Sequence, residues 1–252
     1  NITGIGYDTT TYTAIVTVSD NNGKLTASVA YEGGTSTTTA AFNNTYQPTT
    51  VVIGNNTNAG IAGNKTVTGD YTLKGNDFTF TLTAVTQNAP MPNPTSVTNN
   101  TQDGFAFGEM TYTAPGVYQY EVKEDNAVAP INGMSYDNTV YLVTVTVKDN
   151  GGTLSADVSY AIKDGDAVDA MVFNNTYQPQ SVTLGGDAAL GGTKTVTGDY
   201  TLKADEFSFT LTPVDGAPMP QGVTGSQTVK NDASGNFKFG DITFTKAGTY
   251  QY

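Results

Sequence analysis

The stretch GMSYDNTVYLVTVTVKDNGGTLSADVSY, residues 133–160, decides the fold class. Between Val140 and Lys148 the residues alternate. Val143, Val145 and Val147 project one way, Thr144 and Thr146 the other. This is the period of a strand with one buried and one wet face, because successive side chains of a pleated backbone point to opposite sides. Asp149-Asn150-Gly151-Gly152 then reads as a tight reversal, so a β-hairpin is expected. Phe78, Phe80 and Leu82 repeat the alternation. Working outward, strands are expected near 50–53, 64–69, 78–85, 105–113, 117–124, 140–148, 153–160 and 171–177, with the Pro-rich 89–94 stretch as a loop. No stretch has a helical period. Short antiparallel strands of this kind argue for an all-β chain built as a β-sandwich.

The deciding stretch occurs twice. Residues 4–31, GIGYDTTTYTAIVTVSDNNGKLTASVAY, are its counterpart, with Asp20-Asn21-Asn22-Gly23 at the turn. KTVTGDYTLK at 65–74 returns at 194–203, GVYQY at 116–120 returns as GTYQY at 248–252, and AFNNTYQP at 41–48 returns as VFNNTYQP at 172–179. Repeats of this length set the domain organisation. Residues 48–178 make one complete module, 1–47 the C-terminal part of another, and 179–252 the N-terminal part of a third. The chain reads as a window on a longer tandem array. A second reading of the same offset is that 179–252 of one copy complements 1–47 of the next, head to tail, as an open filament.

Composition narrows the chemistry. The 252 residues include 44 Thr, 28 Gly and 15 Tyr, and no Cys, His or Trp. Thr and Tyr suit pleated surfaces. The three absences exclude a His-assisted triad, a thiol nucleophile, a disulfide and a His or Cys zinc site. All 11 basic residues are Lys; against 23 acids they leave a net charge of -12. Such a surface is a poor partner for nucleic acid or an anionic membrane, and no apolar run reaches the length of a membrane span. No metal and no cofactor is expected.

Three polar residues have the parity of the core. Lys65 shares it with Val67, while Thr66 and Thr68 point away. Asn175 shares it with Phe173 and Tyr177. Glu124 shares it with Tyr118, Tyr120 and Val122, while Gln119, Glu121 and Lys123 face water. A buried charge is costly unless paired or neutralised. The incomplete modules repeat the placement: Lys194 lies with Val196, and Asn44 with Phe42 and Tyr46.

KTVTGDYTLKGNDFTFTL, GVYQYEVKE, GMSYDNTVYLVTVTV and VFNNTY resemble the streptococcal-type pilin isopeptide-linkage domain of Gram-positive backbone pilins and adhesin stalks. The resemblance covers 48–178 and both partial modules. It implies immunoglobulin-like (CnaB-like) β-sandwich modules in tandem, each closed by a self-formed amide between a Lys of its first strand and an Asn of its last, promoted by an acid. Carried over, the bond joins Lys65 to Asn175 with Glu124 as the acid, and Lys194 and Asn44 are the bond partners of the partial modules. Burial favours the neutral forms of an amine and a carboxyl, so the amine becomes a nucleophile and the acid can polarise the carboxamide and shuttle protons. The reaction runs once per module and is not turnover. The resemblance further implies a cell-wall-anchored, extracellular bacterial location and partners that are neighbouring modules or copies in a fibre, with a possible host-surface ligand. The 252 residues contain no sortase sorting signal and no Tyr-Pro-Lys pilin motif.

Two other readings compete. A two-carboxylate glycosidase site could be assembled from Glu121, Glu124 and Asp137, but Glu121 has solvent parity and Asp137 belongs to a Tyr-Asp turn that recurs as Tyr7-Asp8. A ligand-binding adhesin module for a host receptor or glycan would place its site in loops such as 86–104. Asp164, Asp166 and Asp169 read as a solvated acidic loop before they read as a calcium site.

Overall fold

The computed structural model describes residues 1–34, 36–54, 59–125 and 130–252. Residues 1–47 carry β1 (Ile5–Gly6), β2 (Thr13–Asn21), β3 (Lys24–Glu32) and β4 (Thr45–Tyr46), in which β1 pairs with β4 and β2 with β3. The next stretch carries β5 (Val51–Ile53), β6 (Ala62–Thr68), β7 (Thr79–Ala84), β8 (Ser96–Thr98), β9 (Gly104–Ala106), β10 (Met110–Tyr112) and β11 (Gly116–Glu124). It continues through β12 (Met134–Ser135), β13 (Val140–Asp149), β14 (Leu154–Ile162), β15 (Ala167–Val168) and β16 (Met171–Tyr177). Residues 179–252 add β17 (Val182–Leu184), β18 (Gly191–Thr193), β19 (Ser208–Leu211), β20 (Gln227–Lys230), β21 (Asn236–Lys238) and β22 (Ile242–Phe244), which pair as β17–β22, β18–β21 and β19–β20. One short 3-10 turn, Gly186–Ala188, is the only helical element among the described residues.

A six-stranded sheet of order β15-β14-β13-β11-β7-β8 and a four-stranded sheet of order β12-β16-β6-β9 organise the middle of the chain. The alternation read from the sequence holds: Tyr141, Val143, Val145 and Val147 of β13 are all buried. Phe80 from β7 stacks on Phe105 from β9, ring centroids 3.9 Å apart, and Tyr141 from β13 meets Phe173 from β16 edge-on at 5.0 Å. These rings join the inner faces of the two sheets, which is the sandwich expected. The remaining core side chains, among them Ile53, Ile61, Leu82, Met110, Val122 and Met171, fill the space around them.

The expected strand at 105–113 is two strands. β9 pairs with β6 and β10 with β5, so the chain changes partner at 107–109. The buried residues show why. Phe105 and Phe107 have odd parity, Met110 and Tyr112 even, and one continuous strand cannot bury both sets on one face. The stretch after the Pro-rich loop also holds β8, which pairs with β7 at the sheet edge.

Chain contacts divide the molecule into two compact units. One comprises Asn1–Lys65, Lys74–Val128 and Asn138–Phe173; the other comprises Thr66–Leu73, Ala129–Asp137 and Asn174–Tyr252. β6 and β16 each begin in the first and end in the second. The second unit has its own apolar cluster of Leu211, Phe239 and Ile242, with Phe209, Phe237 and Phe244 packed against it. No helix among the described residues is long and apolar enough to cross a membrane.

Candidate functional site

Lys65 is the fourth residue of β6. Its neighbours Asn64 and Thr66 are exposed, whereas Lys65 itself is 0% exposed. A long cationic side chain takes that position only where polar groups receive it. Glu124, the last residue of β11, provides one. Its Oε2 lies 3.0 Å from Lys65 Nζ, and both side chains are fully buried. The strand register holds the acid in place, since Glu124 pairs with Phe80 of β7 and the next amide, Asp125, donates to Thr79 O at 2.8 Å. Lys65 Nζ also donates to Phe173 O at 3.3 Å and sits 4.6 Å from the centre of the Phe78 ring, a cation–π distance.

Asn175 is 0% exposed and lies on β16 with Phe173 and Met171 on the buried face, while Asn174 between them is exposed. Strands β6 and β16 are neighbours in the four-stranded sheet. Side-chain bonds fix their direction: Thr66 Oγ1 donates to Asn174 Oδ1 at 3.0 Å and Thr68 Oγ1 to Thr176 Oγ1 at 3.0 Å. The offset is 108 residues in both, so β6 and β16 run parallel.

The carboxamide of Asn175 is gripped by a residue that sequence reasoning set aside as a turn. The Asp137 amide donates to Asn175 Oδ1 at 2.7 Å, and the Asp137 carboxylate accepts the Asn174 amide at 2.8 Å. The signal was available in the Tyr-Asp pair that recurs at Tyr7-Asp8 and Tyr136-Asp137. The preceding Tyr136 hydroxyl accepts the Ile131 amide at 2.6 Å, closing that turn. A second buried amide, Asn99, plays a different part. It accepts from the Phe78 amide at 2.9 Å and donates to Lys74 O at 2.7 Å, so it is saturated by backbone and serves the loop under Phe78.

Each expected site residue thus has a defined place. Lys65 and Glu124 are brought into one buried ion pair, and Asn175 is buried with its oxygen held by Asp137. Lys194 lies 4.8 Å from the Phe207 ring centre, half-buried, in the setting Lys65 has over Phe78. Asn44 is exposed and accepts the Asp8 amide at 2.9 Å. Glu121 faces outward and pairs with Lys163 at 2.9 Å, as its parity required. Elsewhere in the core the Tyr112 and Tyr120 hydroxyls lie 2.9 Å apart and Tyr120 donates to Pro90 O; burial pushes both phenols above their usual range.

The chain is similar in sequence to known proteins. The profile of the FctA family, described as Spy0128-like isopeptide containing domain, matches residues 1–47, 61–178 and 190–252. A pilin of Streptococcus pyogenes serotype M1 is 31% identical over 137 residues, which are 51% of this chain and 37% of that protein. The chain therefore spans well under half the length of that relative. Among solved structures, the major pilin from Streptococcus pyogenes is 18% identical, covering 78% of this chain and 77% of its own, with a TM-score of 0.38. The T-13 major pilin of the same species is 19% identical, covering 77% and 78%, with a TM-score of 0.40. The profile match extends over most of the chain, and the chain belongs to this family of isopeptide-containing domains.

Proposed function

We propose that the chain is a stretch of the shaft of a bacterial surface pilus or adhesin stalk, built of tandem modules that stiffen themselves with internal Lys–Asn amide bonds. In this reading 48–178 is a complete module, and 1–47 and 179–252 belong to its neighbours. The observation that carries it is the buried Lys65–Glu124 pair at 3.0 Å, on the strand next to the one that buries Asn175.

The chemistry needs no further group. Proton transfer within the ion pair leaves a neutral Lys65 amine and a protonated Glu124. The amine attacks Cγ of Asn175, and the Asp137 amide, already on Oδ1, receives the charge that grows on that oxygen. Glu124 gives its proton to the departing Nδ2 and takes one from Nζ, then ends protonated. The C–Nδ2 bond breaks, the C–Nζ bond forms, and one ammonia leaves. Folding supplies the proximity that makes this step feasible for a weak electrophile. Asn44 and Lys194 would serve the corresponding bonds of the neighbouring modules.

The mechanical consequence follows from topology. The bond would tie β6 to β16, which run parallel, so a pull applied at the two ends of the module would cross a covalent bridge that spares the strands between residues 66 and 174. Closing the loop from 65 to 175 is worth on the order of 4–5 kcal/mol in the chain-entropy treatment used for disulfides. A surface location and a fibre made with copies of the same protein belong to this reading.

The test is the intact mass of the fully denatured chain. A mass lower by one ammonia, restored to the bare sequence value by Lys65→Ala, Asn175→Ala or Glu124→Ala, supports the bond. A wild-type mass equal to that of the bare sequence overturns it.

A further inference from the structure

Where 1–47 gives way to 48–178, the strand end Tyr46-Gln47-Pro48 meets the turn between β13 and β14. The Tyr46 hydroxyl donates to Oδ2 of Asp149, while Oδ1 of the same carboxylate accepts the Gly152 amide at 2.8 Å. One side chain thus shapes the turn and receives the phenol. The backbone continues the contact. Thr49 N donates to Gly152 O at 2.9 Å and Leu154 N donates to Thr49 O at 3.3 Å, forming a parallel bridge between Thr49 and Thr153. On the other side Gln47 N donates to Gly4 O at 2.7 Å.

The approach is too close for side chains. A Cβ on Gly152, whose φ is +96°, would lie 2.5 Å from Thr3 O; one on Gly4 would lie 2.9 Å from the Tyr46 ring and 3.2 Å from Gly152 Cα. The Tyr46–Asp149 bond raises the phenol above its ordinary pKa and lowers the carboxyl below its own, as expected of a neutral donor on a charged acceptor.

The repeat supplies a spare of each half. Tyr177-Gln178-Pro179 copies the strand end, and Gln178 N donates to Gly133 O at 2.8 Å as Gln47 does to Gly4. Asp20–Gly23 copies the turn, with Gly23 N donating to Asp20 Oδ1 at 2.7 Å. A Cβ on Gly23 would meet nothing within 4 Å. The acceptor turn therefore forms its shape without an occupant.

We propose that the Asp-X-X-Gly turn of each module is a docking surface for the Tyr-Gln-Pro strand end of the module before it, so that successive modules meet in a fixed joint and not a free linker. Tyr46 on Asp149 is one closed joint; the occupant of the Asp20 turn is the Tyr-Gln-Pro end of another module of the same kind. The inference rests on the tandem-module reading but not on the amide bond. It supplies what the bond cannot: a rod of stiff modules on loose linkers still coils, whereas one with clamped junctions keeps its reach.

The experiment is limited chymotrypsin digestion of the native full chain, followed by mass of the fragments. Tyr46→Phe keeps the cleavage site and removes only the hydroxyl; Asp149→Asn keeps the turn's shape and removes the charge. Both residues are solvent-accessible, so both variants fold. Cleavage after residue 46 is expected to be slow in the wild type and roughly three- to tenfold faster in each variant. The double variant should be no faster than the singles, since they break one interaction. Equal rates in all four proteins, or additive effects in the double variant, overturn the joint. The same spectra record the ammonia deficit. Its absence overturns the amide bond while the cleavage rates still decide the joint.

Discussion

The hairpins β2–β3 and β13–β14 are near copies in opposite circumstances. Thr13 to Asn21 pair with Lys24 to Glu32 in unbroken register, as Tyr141 to Asp149 pair with Leu154 to Ile162. Yet Val16 and Val18 are 58% and 56% exposed, whereas their counterparts Val145 and Val147 are 0% and 3% exposed. β13 has β11 on its other edge and the rings of the second sheet above it; among the described residues β2 pairs with β3 alone. The matching asparagines, Asn44 and Asn175, divide in the same way. Asp8 N to Asn44 Oδ1 and Asn43 N to Asp8 Oδ2 measure 2.9 and 2.7 Å, against 2.7 and 2.8 Å for Asp137 with Asn175 and Asn174. Asn44 is nevertheless exposed and Asn175 is not. Turn, register and the grip on the asparagine are local properties that residues 1–47 reproduce. The burial of Val145 and Asn175, and the carboxylate beside Lys65, come from strands distant in sequence that 48–178 brings together.

The largest test of that division is to remove a partner of the proposed amide. Lys65→Ala or Asn175→Ala should lower the melting temperature of the complete module by on the order of 10–25 °C, the equivalent of the loop-closure term for a domain of this size. Lys194→Ala, at the matching place in a half-module, should leave that transition and the ammonia deficit unchanged. Calorimetry and intact mass together read both. A comparable loss from Lys194→Ala would show that the half-module is already a working one.

Next comes the hydrophobic face. Val145→Asp buries a charge in the sandwich and should cost about 3–5 kcal/mol, enough to unfold the module or nearly so. Val16→Asp, its repeat counterpart, should change stability by no more than about 0.5 kcal/mol, the range of ordinary surface substitutions. Urea unfolding followed by tyrosine fluorescence measures both. A large effect at Val16 would mean that β2 is covered in solution by something outside its own hairpin.

Much of this was legible in the residues. The alternation at 140–148 placed Val143, Val145 and Val147 correctly, and the parity of Lys65, Glu124 and Asn175 put all three on buried faces where the structure has them. Parity works because a strand has a fixed period of two. It fails where the chain leaves one sheet for another. The run 105–113 looked continuous because it is rich in Phe and Tyr; the switch from odd to even core residues between Phe107 and Met110 carried the break. The role of Asp137 was not visible because it acts through its backbone amide, which has no side-chain signature. Nor could parity show that Lys65 meets Glu124, since their distance depends on how two sheets pack.

The grip on the asparagine gives a kinetic test. Asp137→Ala removes the carboxylate that holds the Asn174 amide and loosens the segment whose own amide sits on Asn175 Oδ1. Formation of the proposed bond after refolding, followed by mass against time, should slow by roughly tenfold, less than the hundredfold or more that outright loss of a positioned donor costs, because the amide itself stays. The final yield should be unchanged, because the reaction is irreversible once ammonia leaves. Asp8→Ala should not alter the rate at all. If the two variants behave alike, the clamp is only a turn.

The smallest effect concerns the same clamp in its exposed copy. The Asp8 carboxyl is held below its ordinary pKa, first by the Thr10 hydroxyl and then by the amides of Asn43 and Thr10. A carboxyl depressed in the folded state contributes its stabilisation in full above the unfolded-state value, about 3.9, and loses it as pH falls through the lower folded value. The clamp on Asn43 should therefore persist at pH 4 and open only in stronger acid. Amide proton shifts of Thr10 and Asn43 report this directly. Both should move together with a midpoint below the ordinary aspartate value, and Asp8→Asn should flatten both curves. Global unfolding should show no step at that pH, because the site lies outside the core. A midpoint at the ordinary value would mean that the half-module's turn is not held as its buried counterpart is. The local identity of the two clamps would then depend on the covering strands after all.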